Sequence, residues 1–185
     1  MLDDKDFEGI RKDLKRFEEE RELTIQKSRR IIQLSKQIIY SIHRNDLKSA
    51  EKLAEEIKKE TKSLPSCPYD TDMHKTAIQE YVEALCYFEF VKNNKIPTRK
   101  ELNTDTEGYL LGLCDLTGEL VRKAVYETIK KNFDEVKKIK ALVEEIYGEF
   151  LKFDLRGGEL RKKSDSIKWN LTKLEDIEYG LSLRK

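Results

Sequence analysis

From about Asp4 to Arg44 the chain keeps a helical periodicity almost without a break, and this decides most of what it can fold into. Ile31, Leu34, Ile38 and Ile42 form an apolar stripe along its second half. At about 1.5 Å per residue such a helix is roughly 60 Å long. A helix of that length is expected to pack against more than its own chain. Only three prolines and eight glycines occur in 185 residues, and Glu, Lys, Leu and Ile dominate, which favours helix and leaves little for the turns of a sheet. The fold class is therefore all-α. No composition shift or low-complexity linker divides the chain, so residues 1–185 are expected to form a single domain with one core.

The remaining punctuation gives six further helices. Asp46 can cap a second helix that runs through about Thr61, and Ser63-Leu-Pro-Ser-Cys-Pro-Tyr-Asp70 is a loop. A third spans about Met73 to Asn93. Pro97 precedes Thr98-Arg-Lys-Glu101, a capping-box pattern that opens a short fourth helix. The fifth spans roughly Glu107 to Lys131, and the sixth starts at Asn132-Phe-Asp-Glu135 and ends near Phe153. After a loop at Gly157-Gly158, the last helix runs from about Ser164 to Ser182, with Trp169, Leu174, Ile177 and Leu181 as its buried side. No repeat of fixed period points to a solenoid.

Several function classes are disfavoured. Cys67, Cys86 and Cys114 are odd in number and lack Cys-x-x-Cys spacing, which argues against a disulfide framework or a zinc site and for a reducing compartment. No apolar run is long enough to span a membrane, and the opening Met1-Leu-Asp-Asp-Lys5 is unlike a secretory leader, so a cytoplasmic protein is expected. Neither a glycine-rich phosphate loop nor a Gly-x-Ser-x-Gly elbow is present.

Four carboxylates stand out in the two most hydrophobic stretches of a chain that is otherwise 39% charged. They are Glu80 and Glu83, and Asp115 and Glu119. Spacings of three and four put each pair on one side of its own helix. Brought face to face, the four would form a hard-oxygen site suited to Mg²⁺ or Mn²⁺. The plainer reading is that they lie at helix margins or an oligomer interface, and Arg122, three residues beyond Glu119, offers an ordinary intrahelical partner. Gly112 and Gly118 lie beside the second pair, and each costs about 1 kcal/mol relative to Ala in a helix. Close approach by another helix or a ligand would explain them.

The net charge of +1 hides a segregation. Between Glu22 and Asp46 there is no acidic residue, while Lys27, Arg29, Arg30, Lys36 and Arg44 are basic and His43 can be. On a helix, Arg29, Gln33, Lys36, Gln37, Tyr40, His43 and Arg44 fall on one side, opposite the isoleucines. Cations at intervals can engage phosphates, and Tyr40 or His43 can stack on an exposed base. A solvated face is the plain alternative. His43 and His74 are the only histidines and lack metal-ligand spacing, which weakens a third possibility, a di-iron carboxylate bundle.

The segments Glu80-Tyr-Val-Glu83-Ala and Tyr109-Leu-Leu-Gly-Leu-Cys-Asp115-Leu-Thr-Gly-Glu119-Leu-Val-Arg122 resemble the translin superfamily, as do Ser28-Arg29, Ser35-Lys36 and His43-Arg44. More narrowly they are similar to translin-associated factor X, and the similarity continues from Lys162-Lys163 to Leu181. The resemblance implies a seven-helix bundle that assembles into closed octamers around a chamber, with RNA as substrate. It also implies that Glu80, Glu83, Asp115 and Glu119 form a Mg²⁺-dependent endoribonuclease site, which Mn²⁺ could also serve. One of the four, Glu119 for example, could instead be the general base, a role the sequence does not assign, while Arg29, Lys36, Tyr40, His43 and Arg44 would hold the strand. The chain is shorter than eukaryotic members, without their tails or their insert before the short fourth helix. A homo-octamer of a prokaryotic or archaeal-type member is the simpler expectation. The translin branch, which mainly binds RNA or single-stranded DNA, supplies the alternative of a non-catalytic scaffold.

Overall fold

In the computed structural model, which describes residues 2–65 and 72–183, every regular element is a helix. They are α1 (Asp4–His43), α2 (Leu47–Lys62), α3 (Asp72–Asn93), α4 (Arg99–Leu102), α5 (Thr106–Ile129), α6 (Phe133–Phe150) and α7 (Gly158–Ser182). The all-α class and the long first helix are as expected. Residues 66–71, most of the expected loop and Cys67 with it, lie outside the described residues. No helix among the described residues is long and apolar enough to cross a membrane.

Side chains cap the starts of α1, α2, α4 and α5. Asp3 accepts from the backbone N–H of Lys5 and Asp6, Asp46 from Ser49, and Asp105 from Gly108. Each satisfies donors that the first turn leaves without partners. Thr98 and Glu101 complete the capping box of α4 in both directions. Asn45, Asn94 and Asn103 adopt positive φ where helices end, a conformation asparagine tolerates better than most residues.

α3 lies between α1 and α5; α2 covers α1 and α3, while α6 and α7 cover α5. Within one contiguous apolar cluster, Ile31, Leu34 and Ile38 of α1 meet Val82, Leu85 and Tyr87 of α3 and Leu116 and Leu120 of α5. α1 divides in two. Residues 2–19 are exposed, and burial begins at Thr24. The core-facing stripe therefore belongs to the second half alone.

Two boundaries and one face differ from expectation. α6 stops at Phe150, and α7 starts at Gly158, so the glycine pair begins that helix instead of forming a longer loop. Trp169 is 67% exposed. Ile167 and Leu174 are the fully buried residues of α7, and Trp169 points about 140° away from Leu174 around the helix. Ile177 and Leu181 are half-buried.

Candidate functional site

The acids meet because glycine lets two helices touch. A Cβ on Gly112 would fall 2.6 Å from Val82 Cβ and 2.8 Å from the Gln79 carbonyl oxygen, so only glycine allows α5 this close to α3. Gly118 has no such role, since the nearest atom, Asn170 Nδ2, would be 3.9 Å from its Cβ. Of the two glycines singled out in the sequence, one marks a close approach.

Glu80, Glu83 and Glu119 line a cleft of about 380 Å³ together with Lys36, Ile39, Tyr40 and Arg122. Glu83 is 9% exposed, and its carboxylate makes no hydrogen bond among the described residues. Burial, then the charges of Asp115, Glu80 and Glu119, push its carboxyl up to about 9. Glu80 is also raised, by burial first, while the Lys36 ammonium opposes the shift. The other two acids are engaged. Both oxygens of Asp115 accept from Lys163 Nζ, at 2.8 and 3.0 Å, and the Gln79 amide donates to Oδ2. Glu119 Oε2 lies 2.5 Å from His43 Nε2 and 3.8 Å from Arg122.

Two of the four predicted ligands are thus engaged by neighbours within the chain. Among the described residues no three acids, histidines or cysteines converge in a metal-holding arrangement. Asp115 stands beside the cleft on Lys163, whereas Glu80, Glu83 and Glu119 face one space. The donor chemistry nonetheless fits a hard divalent cation: the available atoms are carboxylate oxygens, and two of the acids are half-buried or buried with no counter-ion bonded to them.

The basic stripe is mostly where the sequence placed it. Arg29, Gln33, Lys36, Gln37, Tyr40 and Arg44 are exposed, and the Arg44 guanidinium lies 5.5 Å from the Tyr40 ring centre. His43 is the correction. Its side chain is only 6% exposed, with ring centroids 5.4 Å from Tyr87 and 5.9 Å from Tyr126. One position past the buried Ile42, it sits at the margin of the core face, where α3 and α5 close over it. It serves Glu119, and no base can stack on it there. Two cations of the acid-free segment are also engaged within the chain: Arg30 pairs with Glu56, and Lys27 donates to the Ser63 carbonyl.

Gln79 and Lys163 escaped the sequence reading as site residues, as did Tyr126. Lys163 comes from α7, 48 positions from Asp115, and no spacing rule links the two. Tyr87 shares the face of Glu80 and Glu83 by helical spacing, but its partner His43 is 44 positions away.

The family model described as "Translin family" matches residues 19–185. The chain belongs to the translin family. Its relatives include an uncharacterized protein of Methanocaldococcus jannaschii, MJ0175, 36% identical over 154 residues, or 78% of this chain and 68% of that one. Translin-associated protein X of Rattus norvegicus is 24% identical over 225 residues, covering 96% of this chain and 78% of the rat protein. Among solved structures, the one described as an AfC3PO–duplex RNA complex superposes with a TM-score of 0.87 at 22% identity, covering 97% of both chains. That likeness shows the fold.

The raised Glu83 carboxyl has a measurable consequence. Folded, the group holds its proton up to about 9; unfolded, only to about 4.5. Its favourable contribution is whole below about pH 4.5 and is lost as pH rises through about 9. In EDTA, the melting temperature should fall across that range. Glu83→Gln, fixed in the neutral form, should fall less. Parallel profiles for the two proteins would mean that Glu83 is ionised in the folded chain.

Proposed function

We propose that this chain is a Mg²⁺-dependent endoribonuclease that cleaves single-stranded or partly unpaired RNA within a closed homo-oligomer. One observation carries the reading: Lys36 and Tyr40, from the basic stripe of α1, share a cleft with Glu80, Glu83 and Glu119. A phosphate held at Lys36 would lie beside the acids. The duplex RNA named in the AfC3PO complex supports RNA as the class of ligand, and the choice of an unpaired strand is our own.

In this reading Glu80, Glu83 and Glu119 hold the ion, and Asp115 joins them. Mg²⁺, or Mn²⁺ in its place, would neutralise charge on the phosphate and lower the pKa of a water. The chain supplies the rest. Arg29, Lys36 and Arg44 bind successive phosphates, and Tyr40 offers an exposed ring to a base. Should one of the four act as general base in place of binding the ion, Glu119, oriented by His43, would be the acid that takes up the proton of the attacking group. Arg122 lines the cleft, where negative charge develops. The engagement of Asp115 and Glu119 by cationic and polar neighbours favours one second reading, a non-catalytic RNA-binding scaffold. Cleavage of labelled RNA that requires a divalent cation separates the two.

Assembly is the other half of the proposal. Phe7, Ile10 and Leu14 are exposed along one side of the first half of α1. Most of a helix's stability in a protein comes from packing its apolar face, so another copy should cover this one. Light scattering at micromolar protein should give about eight times 21.8 kDa. A single species of 21.8 kDa would remove the enclosed chamber.

A further inference from the structure

We propose that Lys163 is a resident counter-cation of the acid group, and that a divalent cation binds there by displacing the Lys163 ammonium from Asp115. The inference rests on the metal reading above and adds to it a competitor built into the chain.

The geometry is that of a cation site already filled. Lys163 Nζ reaches both oxygens of Asp115, at 2.8 and 3.0 Å, and the Gln79 amide fixes Oδ2 from α3. An ammonium and a divalent cation are both hard and seek the same carboxylate lone pairs. They cannot both use them fully. Lys163 also acts beyond its partner, since its charge favours the ionised forms of Glu80 and Glu83. Its side chain is 30% exposed, so the ammonium has water to move into when it leaves.

An ordinary strut between α5 and α7 is the competing explanation. The two helices have other ties: Asn170 donates to Thr117 at 2.8 Å, and Ile167 and Leu174 are fully buried in the common core. Loss of the Lys163 pair should therefore leave α7 docked. A strut would change ion affinity on removal only through its lost charge, a gain that persists without Asp115, whereas a competitor's gain depends on Asp115.

The test is calorimetric titration of Mn²⁺ and Mg²⁺ into EDTA-stripped, full-length protein, with melting temperatures taken before and after. Lys163→Met should bind at least about tenfold more tightly than wild type, because a unit charge beside the site is gone. It should melt lower before the ion is added and gain more from it. Lys163→Gln, which keeps a polar contact without the charge, should show the same gain. Lys163→Arg, which keeps a cation on Asp115, should show none. In an Asp115→Asn background the Met substitution should bring a much smaller gain, that of the lost charge acting on Glu80 and Glu83 from a distance, and an undiminished gain there would overturn the competitor role. Equal or weaker ion binding by both neutral variants would overturn the competitor role while leaving the metal site standing. No ion binding by wild type or variants at millimolar concentration would overturn both.

Discussion

Glu83→Gln and Glu119→Gln are expected to leave the fold, the assembly and RNA binding intact while cutting RNA cleavage by orders of magnitude. The amides keep shape and volume and remove the charge that would hold a cation. The Glu83 carboxylate makes no hydrogen bond among the described residues, so its amide breaks none. It also removes a carboxylate that burial and three neighbouring acids disfavour. Without divalent cation this variant should melt higher than wild type, and added Mg²⁺ should raise its melting temperature less. Glu119→Gln removes the candidate base, for which a loss of about 10² to 10⁴-fold is the usual range. Gel-based cleavage, light scattering and melting curves on the same preparations check all of this. Full activity in either variant would defeat the metal-nuclease reading.

The second large effect concerns the strand. Replacing Arg29, Lys36 and Arg44 together by Gln should weaken single-stranded RNA binding by more than about tenfold near 0.1 M salt. The slope of log affinity against log salt should flatten by about 2, since each phosphate contact to a single strand releases roughly 0.7 of a counterion. All three side chains are exposed, so helix content should hardly change. His43 does not belong in this set. Its ring is buried between Tyr87 and Tyr126 on Glu119, and its loss should act on cleavage and stability more than on binding. An unaltered affinity and salt slope in the folded triple variant would assign this face to solvent or to subunit contacts.

What the sequence made legible follows from the range of its signals. Helix periodicity, caps and breakers are local, and so the seven helices and most of their ends could be read directly. The two acid pairs were legible for the same reason, because spacings of three and four act within one helix. Contacts across the bundle have no such marker. That Lys163 reaches Asp115, and that Gln79 joins it, depends on how α7 and α3 dock on α5. Amphipathicity was ambiguous for ring side chains lying off the core stripe, and both errors of orientation fell on them. His43 lay one position past the core stripe and was drawn in, and Trp169 lay off the Ile167–Leu174 face and was left out. Gly112 carried a real signal of close packing, but its neighbour Gly118 carried the same composition without the contact.

The most direct measurement is incubation of the purified, EDTA-stripped wild-type protein with an end-labelled single-stranded RNA, with and without Mg²⁺. Internal cleavage that appears with Mg²⁺, disappears when EDTA is restored, and is absent from Glu83→Gln is the predicted result. Cleavage that persists in EDTA, or RNA bound by the assembled protein and left whole with Mg²⁺ present, would contradict it.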